Sequence, residues 1–259
     1  MNELIRMCII VCPLVFLAGF VDSVAGGGGL ISLPAYLLAG LPSHIAAGTN
    51  KFAMSFGTMT ATAKYMKSGR ILWRVALIAA VFAVIGSYLG ASLALIFSEQ
   101  TLKILLLAAL PCVAVFLTVK KDFGSDENQL KSYSTAKSAV IAGAIGFVMG
   151  IYDGLIGPGT GTFLIIAFSA FLGTDLLTAS GCAKVANLAS NITALVVYAL
   201  GGKVMYTVAI PAMAFCILGN WLGAKYAIKG GSKNVRKVMF VVLALLFVKV
   251  TIDLLGISG

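Results

Sequence analysis

Charge is scarce in this 259-residue chain. Asp, Glu, Lys and Arg make up 11% of it, against about 25% in an ordinary soluble domain, and only nine residues are acidic. So few polar groups cannot coat a water-facing surface, which excludes a soluble globule. A single histidine, His44, in a short connection, rules out a multi-histidine metal or haem site and reads as structural or as a surface residue. The five cysteines, Cys8, Cys12, Cys112, Cys182 and Cys216, lie in apolar runs without a C-x-x-C pair or zinc-site spacing; they read as small core hydrophobes. No Gly-Lys-Ser/Thr follows a glycine-rich stretch, and no nucleophile stands beside a base. Neither a nucleotide-binding loop nor an enzyme is expected, and no cofactor. Alternating ten-residue strands, the mark of an outer-membrane barrel, are missing from runs such as 75–97 and 238–248.

Apolar residues make up 60% of the chain, and the mean hydropathy is +1.03. Several runs reach the roughly 20 residues that a helix needs to cross a bilayer. The composition therefore predicts an all-α polytopic protein of the cell (cytoplasmic) membrane. The net charge of +10 sits between apolar runs, where Lys and Arg orient spans and meet anionic lipid, so membrane lipids rather than nucleic acid are the expected partners. Residues 7–18, after Arg6, have the form of a signal-peptide core. The pattern recurs in mid-chain, however, and Asp22, Ser23 and a glycine run stand where a cleavage site would be, so a retained helix is expected.

Sliding the chain against itself exposes a repeat. An offset of 131 places Gly19 on Gly150, Asp22 on Asp153, Gly26 on Gly157 and Gly28 on Gly159. Beyond a two-residue insertion the offset is 133, aligning Gly48 with Gly181, Lys51 with Lys184, Tyr65 with Tyr198, Gly86 with Gly219 and Gly90 with Gly223. In a chain so poor in charge, an aligned Asp and an aligned Lys carry more weight than aligned glycines. The predicted organisation is one transport domain, 1–259, made of a first repeat (1–119), a charged inter-repeat loop (120–137) and a second repeat (138–259).

Each repeat reads as about five helical segments: a first helix (4–24; 137–153), a short apolar piece (30–41; 162–173), a small-residue helix (45–66; 178–200) and two long apolar helices. The short pieces reach only part-way across the hydrocarbon and are expected to be broken or re-entrant half-helices. Ten segments with both termini outside result if they complete a crossing, eight if they do not. The basic stretches Lys64, Lys67, Arg70, Arg74 and Lys225, Lys229, Lys233, Arg236, Lys237 are expected to face the cytoplasm. Their repeat counterparts are not basic, so matching loops prefer opposite sides, the expectation for inverted repeats. Gly86, Gly90, Gly219 and Gly223 are expected to serve close helix packing, and Trp73 and Trp221 to be interface or packing aromatics.

Four consecutive glycines, Gly26, Gly27, Gly28 and Gly29, interrupt the first repeat; Gly157-Pro-Gly159-Thr160-Gly161-Thr162 interrupts the second. Glycine costs a helix about 1 kcal/mol relative to alanine, so both stretches are predicted to be unwound, each followed by a half-helix whose N-terminal amides and dipole favour an anion. Lys51 and Lys184 are expensive at membrane depth, about 2.5 to 3.5 kcal/mol each if uncompensated, unless they face a cavity or a partner. The expected site joins the glycine breaks, the two lysines and the hydrogen-bonding Thr49, Asn50, Asn187, Ser190 and Asn191 around a small anionic substrate. Asp22 and Asp153 just before the breaks are read either as salt-bridge partners of the lysines or as proton-coupling groups.

Gly19-Phe-Val-Asp22, the run Gly26 to Gly29, Pro34, Gly40-Leu-Pro42, Gly48-Thr-Asn-Lys51 and Gly157-Pro-Gly-Thr-Gly161 together resemble the sulfite exporter TauE/SafE family over nearly the whole chain. In the second half, Gly181-Cys-Ala-Lys184 departs from the Gly-Thr-Asn-Lys form. The resemblance implies a secondary transporter of small anions, with members linked to sulfite, sulfoacetate and related organosulfonates. Export by alternating access is the expected mode; a passive anion channel and a carrier of small carboxylates are the rivals. A homo-oligomer is compatible with the sequence.

Overall fold

A computed structural model describes residues 3–102, 104–105 and 134–254, with side chains up to residue 241. The last segment of the first repeat, Cys112 and most of the charged inter-repeat loop lie outside the described residues. The helices are α1 (Glu3–Ala25), α2 (Gly29–Leu38), α3 (Ser43–Lys67), α4 (Trp73–Ile96), α5 (Thr135–Leu155), α6 (Thr160–Leu172), α7 (Leu176–Leu200) and α8 (Tyr206–Leu254). The last contains a non-helical Gly231 that joins two helices across a kink.

Among the described residues, α1, α4, α5, α7 and the 206–241 part of α8 are long and apolar enough to cross a membrane. The pieces between them, α2 with 10 residues and α6 with 13, are shorter, as the 12-residue apolar runs predict. Helix α3 has 25 residues but a lower mean hydropathy, because its buried face carries Thr49, Lys51, Ser55 and Thr58. The chain is an all-helical, multi-pass integral membrane protein.

Helix bounds follow the sequence offsets. Shifting α3 by 133 gives residues 176–200, the span of α7, and the same shift carries the first residue of α4, Trp73, onto the first of α8, Tyr206. Contacts follow them too. Helix α4 lies against α5, and α1 against α8. At the first seam Gly86 and Gly90 press on the carbonyls of Phe147 and Ile151; at the second, Gly219 and Gly223 press on those of Phe16 and Phe20. At Gly86, Gly90 and Gly219 backbone meets backbone directly, as small residues permit between membrane helices, and at Gly223 the Ser23 hydroxyl shares the contact. Gly48 rests on the carbonyl of Lys203, and Gly181 on that of Arg70.

Helix α3 begins beside Glu99, and its last turn carries Lys64, near Trp221 of α8. Helix α7 begins beside Ser232 and ends at the turn packed on Gly48. The two therefore run in opposite directions between the same ends of the bundle. The basic stretches meet at one end, where the Lys64 and Lys225 ammoniums lie 4.2 and 5.5 Å from the Trp221 ring centre.

At the other end the buried His44 ring bonds Glu99 through Nδ1 (2.5 Å) and approaches the Ala94 carbonyl (3.1 Å), while the amides of Ser43 and His44 donate to the same carboxylate. Partial burial pushes the Glu99 carboxyl up, but the His44 ring and these two amides outweigh it and hold the group below its usual value. A depressed carboxylate stabilises the fold above its unfolded pKa and loses that contribution as pH falls through the folded one. Glu99 is half exposed, so the effect is small, under about 1 kcal/mol. Glu99→Gln is expected to lower the melting temperature of detergent-solubilised protein slightly at pH 7, with the deficit shrinking as the pH is lowered through the carboxylate range; a deficit unchanged with pH would show that the clasp is not electrostatic.

Candidate substrate site

The chain unwinds at residues 26–28 between α1 and α2, and at 156–159 between α5 and α6. Glycine makes both turns feasible: Gly26, Gly157 and Gly159 have φ of 78°, 91° and 84°, the left-handed region that side chains disfavour. The breaks then cross. A methyl group on Gly26 would fall on the backbone of Gly161 and Thr162, and one on Gly29 would meet Pro158 Cα at 3.0 Å.

Helix α1 ends inside the protein, so its last carbonyls need donors there. Hydroxyls supply them: Tyr65 donates to Ser23 (3.0 Å), Ser180 to Val24 (3.3 Å) and Thr162 to Ala25 (2.7 Å). On the other side, Tyr152 donates to Pro158 (2.6 Å), and Thr160 to Gly157 (2.7 Å). The unwound segments are thereby held in fixed shape. The amides of Leu30 and Thr160 are themselves bonded to the carbonyls of Gly27 and Gly157, which turns them inward on their own helices.

A cavity of about 20 Å³ lies where the breaks cross, with room for about one water. The breaks supply Gly26, Gly29, Gly157, Thr160 and Gly161 to its wall; α3 supplies Asn50, Lys51 and Met54; α1 and α5 supply Asp22 and Asp153; α7 supplies Asn187 and Asn191. The first residues of α2 and α6, Gly29 and Thr160, both face it. The Asn50 side-chain oxygen is buried and makes no hydrogen bond among the described residues.

Two ion pairs join the halves crosswise. Lys51 Nζ lies 2.8 Å from Asp153 Oδ2, and Lys184 Nζ lies 2.6 Å from Asp22 Oδ2. All four residues are buried, none more than 6% exposed. Lys51 also donates to Asn191 Oδ1 (2.9 Å), and the Asn191 amide in turn donates to Asn187 (3.3 Å). Ser190 donates to Asp153 Oδ2 at 2.7 Å.

The halves are not equal at this level. Lys51 faces the cavity, whereas Lys184 is fully enclosed behind Asp22 and does not line it. Gly27, Gly28, Gly159 and Thr162 shape the break without reaching the wall. Thr49 points elsewhere: its hydroxyl accepts the Met205 amide at 3.0 Å, and the repeat-related Cys182 sulfur accepts the Leu72 amide at 3.3 Å. The departure of Cys182 from the Thr form is thus a swap of one acceptor for another at a helix-to-loop tie. Sequence reasoning missed Met54, although the 133 offset places it on Asn187, and missed the carbonyl-capping Tyr65 and Tyr152.

The fold and this buried, charge-paired interior define a polytopic membrane protein with a polar centre at the crossing of two helix breaks. The profile of the sulfite exporter TauE/SafE family matches residues 11–250. The chain belongs to that family. It is 33% identical over 238 residues to the probable membrane transporter protein ORF9 of Sinorhizobium sp, covering 92% of this chain and 90% of the relative. Over 237 residues it is 30% identical to the probable membrane transporter protein YfcA of Escherichia coli K12, covering 92% and 87%. YdhB of Bacillus subtilis, also described as a probable membrane transporter protein, is 24% identical over 208 residues. No solved structure matches the chain.

Proposed function

We propose that the protein is a secondary transporter that carries small sulfur-containing oxyanions, sulfite or an organosulfonate, out of the cytoplasm by alternating access of two inverted halves. The observation that carries this reading is Lys51, a buried cation facing a small cavity at the crossing of two backbone breaks, each of which opens a helix toward that cavity. Lys51 would supply the charge. Asn191, Asn187 and Asn50 would supply directional hydrogen bonds; the Asn50 amide turned by half a rotation presents two donors where it now buries an unbonded oxygen. Lys184, Asp22 and Asp153 hold the breaks and the lysine in register.

Alternating access draws support from the cavity's size. An anion with four heavy atoms does not fit space for one water, so passage requires the halves to part, and a permanently open channel is disfavoured. Inversion draws support from the opposite runs of α3 and α7. Family membership and relatives described as probable membrane transporters agree with transport in general; the sulfur-oxyanion class rests on the family's description and the site's chemistry.

The test is uptake of labelled sulfite into proteoliposomes, with sulfate, sulfoacetate and acetate as competitors. Saturable sulfite flux, inhibited by sulfoacetate and indifferent to acetate, is expected. Inhibition by acetate alone would assign the site to carboxylates, and linear flux without saturation would assign the protein to channels.

A further inference from the structure

Resting on the transport reading above, we infer that Asp153 binds a proton in step with the anion, so that one proton travels with each substrate. The argument begins with charge. The polar centre contains two ammoniums and two carboxylates, paired at 2.8 and 2.6 Å, and its formal charge is zero. Helix ends add nothing net: the negative ends of α1 and α5 meet the positive ends of α2 and α6 at the same two breaks. A monoanion entering this centre leaves one negative charge uncompensated at membrane depth, which is strongly unfavourable. If the anion takes Lys51, Asp153 becomes the orphan. Protonation of Asp153 removes the conflict, and the centre is neutral both empty and loaded.

Asp153 is better suited to this than Asp22. Its lysine faces the cavity, whereas the partner of Asp22 is fully enclosed. It also has a neighbour that accommodates either protonation state. The Ser190 hydroxyl has one hydrogen and two acceptors, Asp153 Oδ2 at 2.7 Å and the Asn187 carbonyl at 3.0 Å. With Asp153 ionised, Ser190 donates to it. With Asp153 protonated, the hydroxyl turns to Asn187, and its oxygen accepts the new acid proton. Lys51 keeps Asn191 as a neutral partner throughout.

The groups facing Asp153 are few. Helix α3 contributes Lys51; α7 contributes Ser190 and Asn187 and also carries the buried Tyr198; α1 contributes Asp22 across the cavity, tied to Lys184. Helix α6 has no titratable side chain, and α4 has only Arg74 in its first turn and the lipid-facing Tyr88. The proton enters Asp153 from the side on which the anion binds and leaves on the side where it is released; no covalent bond forms. Net flux then follows the product of the anion and proton gradients, outward when the anion gradient is the larger.

The experiment uses methanesulfonate, which stays ionised at every pH used, in proteoliposomes containing a pH dye, with the membrane potential clamped by potassium and valinomycin. For the wild type, entry of methanesulfonate is expected to acidify the lumen one proton per anion. An outside one pH unit more acidic is expected to concentrate the anion up to about tenfold. Asp153→Asn, which is neutral without a proton, is expected to abolish both the acidification and the concentration, with the variant's monodispersity checked in detergent. Ser190→Ala, which keeps the carboxylate, is expected to shift the pH of half-maximal rate, a change that a merely structural hydroxyl would not produce. Saturable methanesulfonate flux in the wild type with no lumenal pH change, or flux driven by sodium instead, overturns the coupling and leaves the transport reading standing. If neither methanesulfonate nor sulfite moves through the wild type, the transport reading fails, and the coupling fails with it.

Discussion

Lys51→Ala is expected to abolish anion flux, by at least about a hundredfold, the loss typical when one preorganised charged donor is removed from a low-dielectric site. The same change leaves Asp153, 2% exposed, without its counter-ion and, among the described residues, with the Ser190 hydroxyl as its hydrogen-bonding partner. Breaking one partner out of a buried pair costs about 3–5 kcal/mol, so the single variant should also melt at a lower temperature. The two effects separate in the double variant Lys51→Ala/Asp153→Asn. Removing both charges restores most of the stability, because no buried charge is orphaned, yet flux stays lost because the cation is gone. Lys184→Ala provides the contrast: Asp22 is orphaned in the same way, but the cavity keeps its cation. Thermal unfolding and sulfite uptake measured on all three decide the matter. Flux recovered in the double variant would mean that Lys51 acts only as scaffolding and that the substrate is held elsewhere.

Gly26→Val should prevent the two breaks from packing. Gly26 has φ of 78°, where an L side chain loses roughly 1–2 kcal/mol, and its missing side chain is the space that Gly161 and Thr162 occupy. Atoms of backbone on the far side cannot rotate away, so overpacking adds about 1–3 kcal/mol or more. Separation at this point also strips the Thr162 hydroxyl from the Ala25 carbonyl and exposes the ion pairs behind it. The expectation is loss of most monodisperse protein. Gly40→Ala is the control, since Gly40 has φ of 90° and, among the described residues, nothing lies within 4 Å of the added methyl. It should show the conformational cost alone and keep both folding and flux. Equal losses in the two variants would refute the close crossing of the breaks.

Much of the helical architecture was legible in the order of residues. Long apolar stretches can only be helices in a membrane, because no water is there to satisfy an exposed backbone, and glycine runs mark where those helices stop. The short α2 and α6, the bounds of α3 and α7, and the glycine seams of α4 and α8 all follow from that local physics. The count of membrane-crossing segments in the first repeat extends into residues outside those described.

The candidate site was legible as an inventory and not as a geometry. Spacing alone marks Lys51, Lys184, Asp22 and Asp153 as repeat-related, but a lysine can pair with the aspartate of its own half or of the other. The crossing of the breaks brings Lys51 to Asp153 and Lys184 to Asp22, a pairing over sequence separations that no local rule reaches. Thr49 stands next to Asn50 and Lys51 in the chain, yet helical geometry turns successive residues about 100° apart, and its hydroxyl serves the Met205 amide instead of the cavity. The equality of the two lysines in sequence likewise ends in space: packing opens a cavity beside one and seals the other. Sequence by itself determined the membrane class and where the chain must break, because these depend on hydrophobicity and backbone freedom residue by residue. Tertiary structure alone decided which charges neutralise each other and which cation faces the cavity, because burial and electrostatics depend on neighbours that only the folded chain brings together.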